Sequence, residues 1–181
     1  VDPNKITVAY EGVDSALQNS KVKSQNSKLW FDKLTILSKF EGQFKSQKYF
    51  LYVGNAYPHK NLERLLTAFE ILKRVQNDIE LVFVGKEDYF YKRLKVKVRK
   101  MGLEKNVDFL HDVSDEKLAS LYQNAKALIM SSLMEGFGLP ALEAMANKCL
   151  VLASEIPALK ETCGDAALYF NPLSIDDLVE K

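Results

Sequence analysis

Tyr49-Phe50-Leu51-Tyr52-Val53-Gly54-Asn55-Ala56-Tyr57-Pro58-His59-Lys60-Asn61 runs from aromatic and branched residues, through a turn marked by Gly54 and Pro58, into a segment of different period. In that segment Leu62, Leu65, Leu66, Phe69 and Leu72 recur at three- and four-residue spacing. The first run reads as a strand. The second reads as the apolar stripe of a helix over Asn61 to Val75, with Asn61 as its N-cap. Ile79 to Val84 is again apolar but for Glu80, which completes a strand–helix–strand unit. The alternation continues, with strands predicted over Val107 to Leu110, Ala127 to Met130, Leu150 to Ala153 and Ala167 to Phe170. Helices are predicted over Tyr89 to Met101 and Pro140 to Ala146, and Ser114-Asp115-Glu116-Lys117 is a capping signal for a helix carrying Leu118, Leu121 and Tyr122. Ile175 to Lys181 has the look of an interrupted helix. Strands this uniformly apolar belong to a parallel sheet covered by helices on both faces, so the expected fold is α/β and doubly wound.

Working outward, residues 1–48 differ in character and are expected to be a lead-in to a domain at 49–181. Lys5 to Tyr10 reads as a strand, Ser15 to Ser27 as a polar loop, and Leu29 to Phe40 as an amphipathic helix. The 181 residues carry 25 Lys+Arg against 24 Asp+Glu, with 47% hydrophobic and 27% charged residues. That composition suits one compact domain rather than a disordered chain, and the near-zero net charge argues against nucleic-acid binding by bulk electrostatics. No apolar run approaches the ~18 to 20 residues of a membrane span, and Val1-Asp2-Pro3-Asn4-Lys5 has no signal-peptide character. Two cysteines, Cys149 and Cys163, with no CxxC pair, argue against a disulfide scaffold or zinc site and fit a reducing, cytoplasmic compartment.

The stretch richest in chemistry is Ser131-Ser132-Leu133-Met134-Glu135-Gly136-Phe137-Gly138-Leu139-Pro140-Ala141-Leu142-Glu143, placed where a strand hands over to a helix. Two glycines permit close backbone approach to a ligand, and Pro140 suits a first helical turn. A helix start offers amides and a positive dipole end to a diphosphate. Glu135 and Glu143 accept but do not donate hydrogen bonds, so their partners would be hydroxyl groups, such as those of a sugar or ribose. Set against this, Gly-Phe-Gly can be a plain turn and Glu143 a solvated helix residue. Gly136-Phe137-Gly138-Leu139-Pro140-Ala141 also fits the dinucleotide pattern G-x-G-x-x-A, with Glu155 downstream, yet it follows the fourth main strand instead of the first. Lys60, after the first main strand, would stand at the carboxyl edge of the sheet, where a cation can neutralise a leaving diphosphate. Such a loop lysine is expected to be removable with little loss of fold. Gly85-Lys86-Glu87-Asp88 and His111-Asp112-Val113-Ser114 open onto the same edge.

In this order, these clusters resemble the C-terminal donor-nucleotide domain of retaining glycosyltransferases of the two-domain GT-B architecture, family 4. Glu135, seven residues, then Glu143, enclosing Gly136-Phe137-Gly138-Leu139-Pro140, resembles that family's hallmark. The likeness takes in Tyr52-Val53-Gly54, Pro58-His59-Lys60-Asn61, Phe109 to Leu118, Glu143-Ala144-Met145-Ala146, Glu161 and Gly164-Asp165-Ala166-Ala167, and less specifically Tyr10-Glu11-Gly12-Val13-Asp14. It implies a Rossmann-like domain forming one half of the enzyme and a nucleotide-diphosphate sugar as donor, with a hexosyl group transferred to an acceptor.

Carried over by position, the resemblance implies that Glu135 binds donor-sugar hydroxyls and Glu143 the ribose. Gly136, Phe137, Gly138 and Leu139 would meet sugar and diphosphate, and Lys60 would counter the diphosphate. Gly54, Asn55, His59, Lys86, Asp112 and Val113 would border the donor, with Glu135 and Lys60 nearest the chemistry. Neither a cofactor nor an Asp-x-Asp metal motif is implied. The partner implied is an N-terminal acceptor domain that this chain is expected to lack. Separately, eight Lys or Arg against three acids between Lys86 and Lys105 point toward an anionic membrane surface, set against which a solvated helix is the more common origin of such a run, since Leu94, Val96 and Val98 make no clean apolar face.

Two departures stand out. His59 occupies a position where arginine is common, so a second diphosphate cation is absent or pH-dependent. Asn147-Lys148-Cys149-Leu150 replaces a small Gly- and Pro-containing turn. Open alternatives are a non-catalytic nucleotide-sugar-binding module, a nicotinamide-binding domain, and a sugar-nucleotide epimerase or phosphorylase on the same plan.

Overall fold

The computed structural model describes residues 49–181. The strand, loop and helix expected before Tyr49 lie outside the described residues. Six strands form one parallel sheet: β1 (Tyr49–Val53), β2 (Glu80–Val84), β3 (Val107–Leu110), β4 (Leu128–Met130), β5 (Val151–Ser154) and β6 (Leu168–Phe170). Their order is β3-β2-β1-β4-β5-β6, and every pairing is parallel. Chain order reverses between β1 and β4. In open α/β sheets the loops on either side of such a reversal diverge and leave a crevice at the carboxyl ends of the strands.

Among the described residues five helices connect the strands, α1 (Leu62–Val75), α2 (Tyr89–Lys100), α3 (Asp115–Asn124), α4 (Leu139–Ala146) and α5 (Pro157–Cys163), and α6 (Ile175–Glu180) follows β6. They form two layers because alternate strand residues point to opposite faces. Tyr52, Leu81, Phe83, Ile129 and Leu152 pack with Leu62, Leu65, Leu66 and Phe69 of α1, Tyr91, Leu94 and Val98 of α2, and Leu178 of α6. Their neighbours Leu51, Val82, Val84, Leu128, Met130, Val151 and Ala153 pack instead with Tyr122 of α3, Ala141 and Ala144 of α4, and Leu159 and Cys163 of α5. The doubly wound α/β, Rossmann-like expectation therefore holds.

Element limits shift by a residue at several ends, and three local readings change. Asn61 does stand before α1, but at φ 59° and without a side-chain cap. Its amide Nδ2 donates to the carbonyl oxygens of Ser131 (3.2 Å) and Pro172 (2.9 Å), and its Oδ1 accepts from the Arg64 guanidinium (3.1 Å) and not from a helix N–H, so it ties loops together in place of capping the backbone. Helix α5 escapes the sequence reading because it has seven residues, of which only Leu159 and Cys163 are buried. That is too few positions to display a period. The Asn147-Lys148-Cys149 turn closes α4 as a Schellman motif: Lys148 N–H donates to Met145 O (3.0 Å) and Cys149 N–H to Ala144 O (2.9 Å). Lys148 takes the left-handed position usually filled by glycine, at φ 60°.

Candidate functional site

The loops after β1 and β4 meet at the reversal in strand order, and backbone-directed bonds join them. Leu133 N–H donates to His59 O (2.7 Å) and the Ser131 hydroxyl to Lys60 O (2.8 Å). With the Asn61 bond to Ser131 O, the two loops behave as one unit. Buried tyrosines brace the first loop from beneath: Tyr52 Oη donates to Asn55 O (2.6 Å) and Tyr91 Oη to Gly54 O (2.7 Å). The carbonyls of Gly54 and Asn55 are thus already engaged by the fold.

This frame brings Lys60 and Glu135 together across 75 positions. Lys60 Nζ donates to both carboxylate oxygens of Glu135, at 2.7 and 2.8 Å. The two side chains are only 14% and 9% exposed, so the pair is shielded from water and bound more strongly than a surface ion pair. The Ser132 hydroxyl, itself fully buried, donates to Glu135 Oε1 at 2.7 Å. This pairing argues against a loop lysine removable with little loss of fold: without Lys60 a poorly hydrated carboxylate loses its counter-charge. Ser132 has no signal in the sequence, because a serine three residues before a glutamate is ordinary in a loop.

After Glu135 come two glycines of different kinds. Gly138, the residue before α4, sits at φ 82°, and a Cβ there would stand 2.6 Å from Leu159 Cδ2. Helix packing explains it. At Gly136 a Cβ would meet no atom of the described residues beyond its chain neighbours within 4 Å, so their packing does not require the glycine. Open space beside Glu135 is where a ligand would come close. Phe137 is held through its carbonyl, which accepts from Thr162 Oγ1 (2.6 Å) on α5, and Leu139 begins α4.

Glu143, on α4, is held differently. Tyr122 of α3 is 1% exposed, and its hydroxyl donates to Glu143 Oε2 at 2.8 Å. Burial, reinforced by the adjacent carboxylate, raises the Tyr122 phenol far above the usual tyrosine range, so it stays protonated and keeps donating. Sequence reading took Tyr122 only as an apolar helix position.

The remaining expected residues line the same edge of the sheet. Lys86 and Asp112 are exposed on the loops after β2 and β3, and Val113 is half-buried. His59 is half-buried, with its ring edge-on to Tyr57 at 6.1 Å. His111 braces the β2 and β3 loops: Nδ1 lies 2.6 Å from Gly85 O and Nε2 3.1 Å from Lys95 Nζ. A cation at Nε2 makes that nitrogen the acceptor and leaves Nδ1 to donate to the carbonyl. Both cysteines are free and buried, and burial pushes the Cys149 thiol up to about 12 and that of Cys163 to about 11, which suits packing and not nucleophilic chemistry. Among the described residues no helix is long and apolar enough to cross a membrane, and no three His, Cys, Asp or Glu gather as a metal cluster.

The strand-order reversal thus carries an ion-paired glutamate beside an open glycine, and a second glutamate on the following helix. The chain is 35% identical over 167 residues to the O-antigen chain mannosyltransferase RfbU of Salmonella typhimurium, covering 92% of this chain and 46% of that protein. It is 39% identical over 132 residues to the serotype-specific mannosyltransferase WbdA of Escherichia coli, covering 72% of this chain and 16% of that one. It therefore spans less than half the length of either relative. The crystal structure of the C-terminal domain of a glycosyl transferase group 1 family protein, LpcC from Francisella tularensis, superposes with a TM-score of 0.64 at 25% identity, over 85% of this chain and 83% of that one. The family model described as glycosyl transferases group 1 matches residues 35–181, and the chain belongs to that family.

Proposed function

We propose that this chain is the donor-binding half of a retaining glycosyltransferase that draws a hexosyl group from a nucleoside-diphosphate sugar. The naming of RfbU and WbdA as mannosyltransferases makes mannose the sugar we assign. The observation that carries the reading is the shielded Lys60–Glu135 pair at the strand-order reversal, beside Gly136. An incoming diphosphate competes with Glu135 for the Lys60 ammonium, which then neutralises charge developing on the leaving group. Glu135, its grip on Lys60 shared, turns its oxygens to sugar hydroxyls while Ser132 keeps its orientation. Glu143, on α4, takes the ribose. The acceptor would be bound by a second domain, as expected of a chain that spans less than half the length of these relatives. Peripheral contact with the cytoplasmic face of a membrane is assigned to the basic Lys86–Lys105 stretch, whose outer side presents Lys92, Arg93 and Lys100.

Calorimetric titration of the chain with a panel of nucleoside diphosphates and their mannose conjugates tests this. One base is expected to bind, and the chain alone is expected to transfer no sugar. Glu143→Gln should weaken the bare nucleoside diphosphate by about 1 kcal/mol, whereas Glu135→Gln, which removes the competitor for Lys60, should cause no such loss and should weaken the sugar-bearing donor. Absence of binding by every nucleotide tried, or equal effects of the two variants on the bare diphosphate, would overturn it.

A further inference from the structure

Tyr122 sits in the layer formed by α3, α4 and α5, where its ring packs with Leu51, Leu128 and Ala144. Phenylalanine would fill that space equally well. The hydroxyl is what requires explanation, because a buried phenol without a partner is destabilising, and among the described residues its partner is the Glu143 carboxylate. The bond is directional and occupies Oε2, so the carboxylate cannot rotate freely and Oε1 is left to accept from elsewhere. A second link confirms how closely the two helices are registered: Gln123 Nε2 donates to Asn147 Oδ1 at 3.2 Å, one residue after Tyr122 and four after Glu143. Asn147 in turn donates through Nδ2 to Glu143 O at 2.9 Å.

We infer that Tyr122 is a positioning residue: from beneath α4 it holds Glu143 so that Oε1 meets the ribose hydroxyls of the bound nucleotide. The inference rests on the donor-site reading above and adds to it the group that sets ribose recognition. Tyr122 touches no ligand itself. Its effect should therefore appear only when the ligand carries the hydroxyls that Glu143 accepts from.

The test is calorimetry on the chain with two ligands, the preferred nucleoside diphosphate and its 2′,3′-dideoxy analogue. Tyr122→Phe is expected to bind the ribose form about fivefold more weakly, the equivalent of one lost hydrogen bond, and the dideoxy form with unchanged affinity. Adding Tyr122→Phe to Glu143→Ala is expected to change ribonucleotide affinity less than twofold, because the group being positioned is gone. This second background keeps the test meaningful if the single variant shifts the melting temperature. Equal losses for both ligands, or full additivity with Glu143→Ala, would assign Tyr122 to packing alone. Failure of the unsubstituted chain to bind any nucleoside diphosphate would instead remove the donor-site reading and this inference with it.

Discussion

Glu135 and Glu143 are eight positions apart, yet the fold holds them by opposite means. Glu135 lies in a loop and is gripped by charge: a lysine from another loop contacts both its oxygens, and a buried serine contacts one. Glu143 lies on a helix and is held by one neutral phenol, with an oxygen left over. An ion pair with a loop lysine can be traded for another anion, so the first arrangement suits a site whose contacts change as ligand enters. A neutral hydroxyl attached to a packed ring suits a fixed acceptor. On the proposed reading, the difference is that between a carboxylate that exchanges partners and one that is only aimed.

The most damaging way to break the comparison is Lys60→Ala. It strands a shielded carboxylate, and we expect a loss of about 3 kcal/mol in urea unfolding, together with weakened nucleoside-diphosphate binding. Lys60→Ala combined with Glu135→Ala should unfold at higher urea than Lys60→Ala alone, because the uncompensated charge is gone. Equal midpoints would mean that the pair is already hydrated.

Next in size is a contrast between the glycines beside Glu135. Gly138→Ala places a Cβ against Leu159 in a left-handed backbone, for an expected cost of about 2 kcal/mol. Gly136→Ala should leave the melting temperature unchanged and weaken binding of the sugar-bearing donor. A stability loss at Gly136 would show that the open space is needed by the protein itself.

Ser132→Ala removes the neutral half of the Glu135 grip. About 1 kcal/mol of stability should be lost, with the sugar-bearing donor weakened and the bare nucleoside diphosphate unaffected. The smallest expected effect lies at the far end of the helix that carries Glu143. Lys148→Gly relieves a left-handed lysine and should stabilise the chain by about 0.5 to 1 kcal/mol without altering nucleotide affinity. A change in affinity there would mean that the α4 terminus, and not Tyr122 alone, sets the aim of Glu143.

Much of this was legible beforehand. The strands announced themselves because a parallel sheet covered on both faces demands continuous apolar runs, as in Leu81-Val82-Phe83-Val84. Helix α1 was legible because five apolar residues fall on one stripe. The spacing of Glu135 and Glu143 around two glycines singled out the candidate site without any coordinates. Asn61 was misread for a definite reason: a side chain that suits an N-cap also suits a tie between loops, and only the proximity of Ser131 and Pro172 decides between them.

The sequence by itself therefore determined the fold class, the edge of the sheet that bears the site and the residue types available there, since all of these depend on local period and turn chemistry. Only the tertiary structure decided the partners. Inserting β4 beside β1 brings Lys60 to Glu135 across 75 positions, and packing α3 beside α4 brings the Tyr122 phenol to Glu143 across 21. Neither contact leaves a periodic trace in the chain, because hydrogen bonds and ion pairs form between neighbours in space, and strand order, which no local pattern encodes, determines which residues become neighbours.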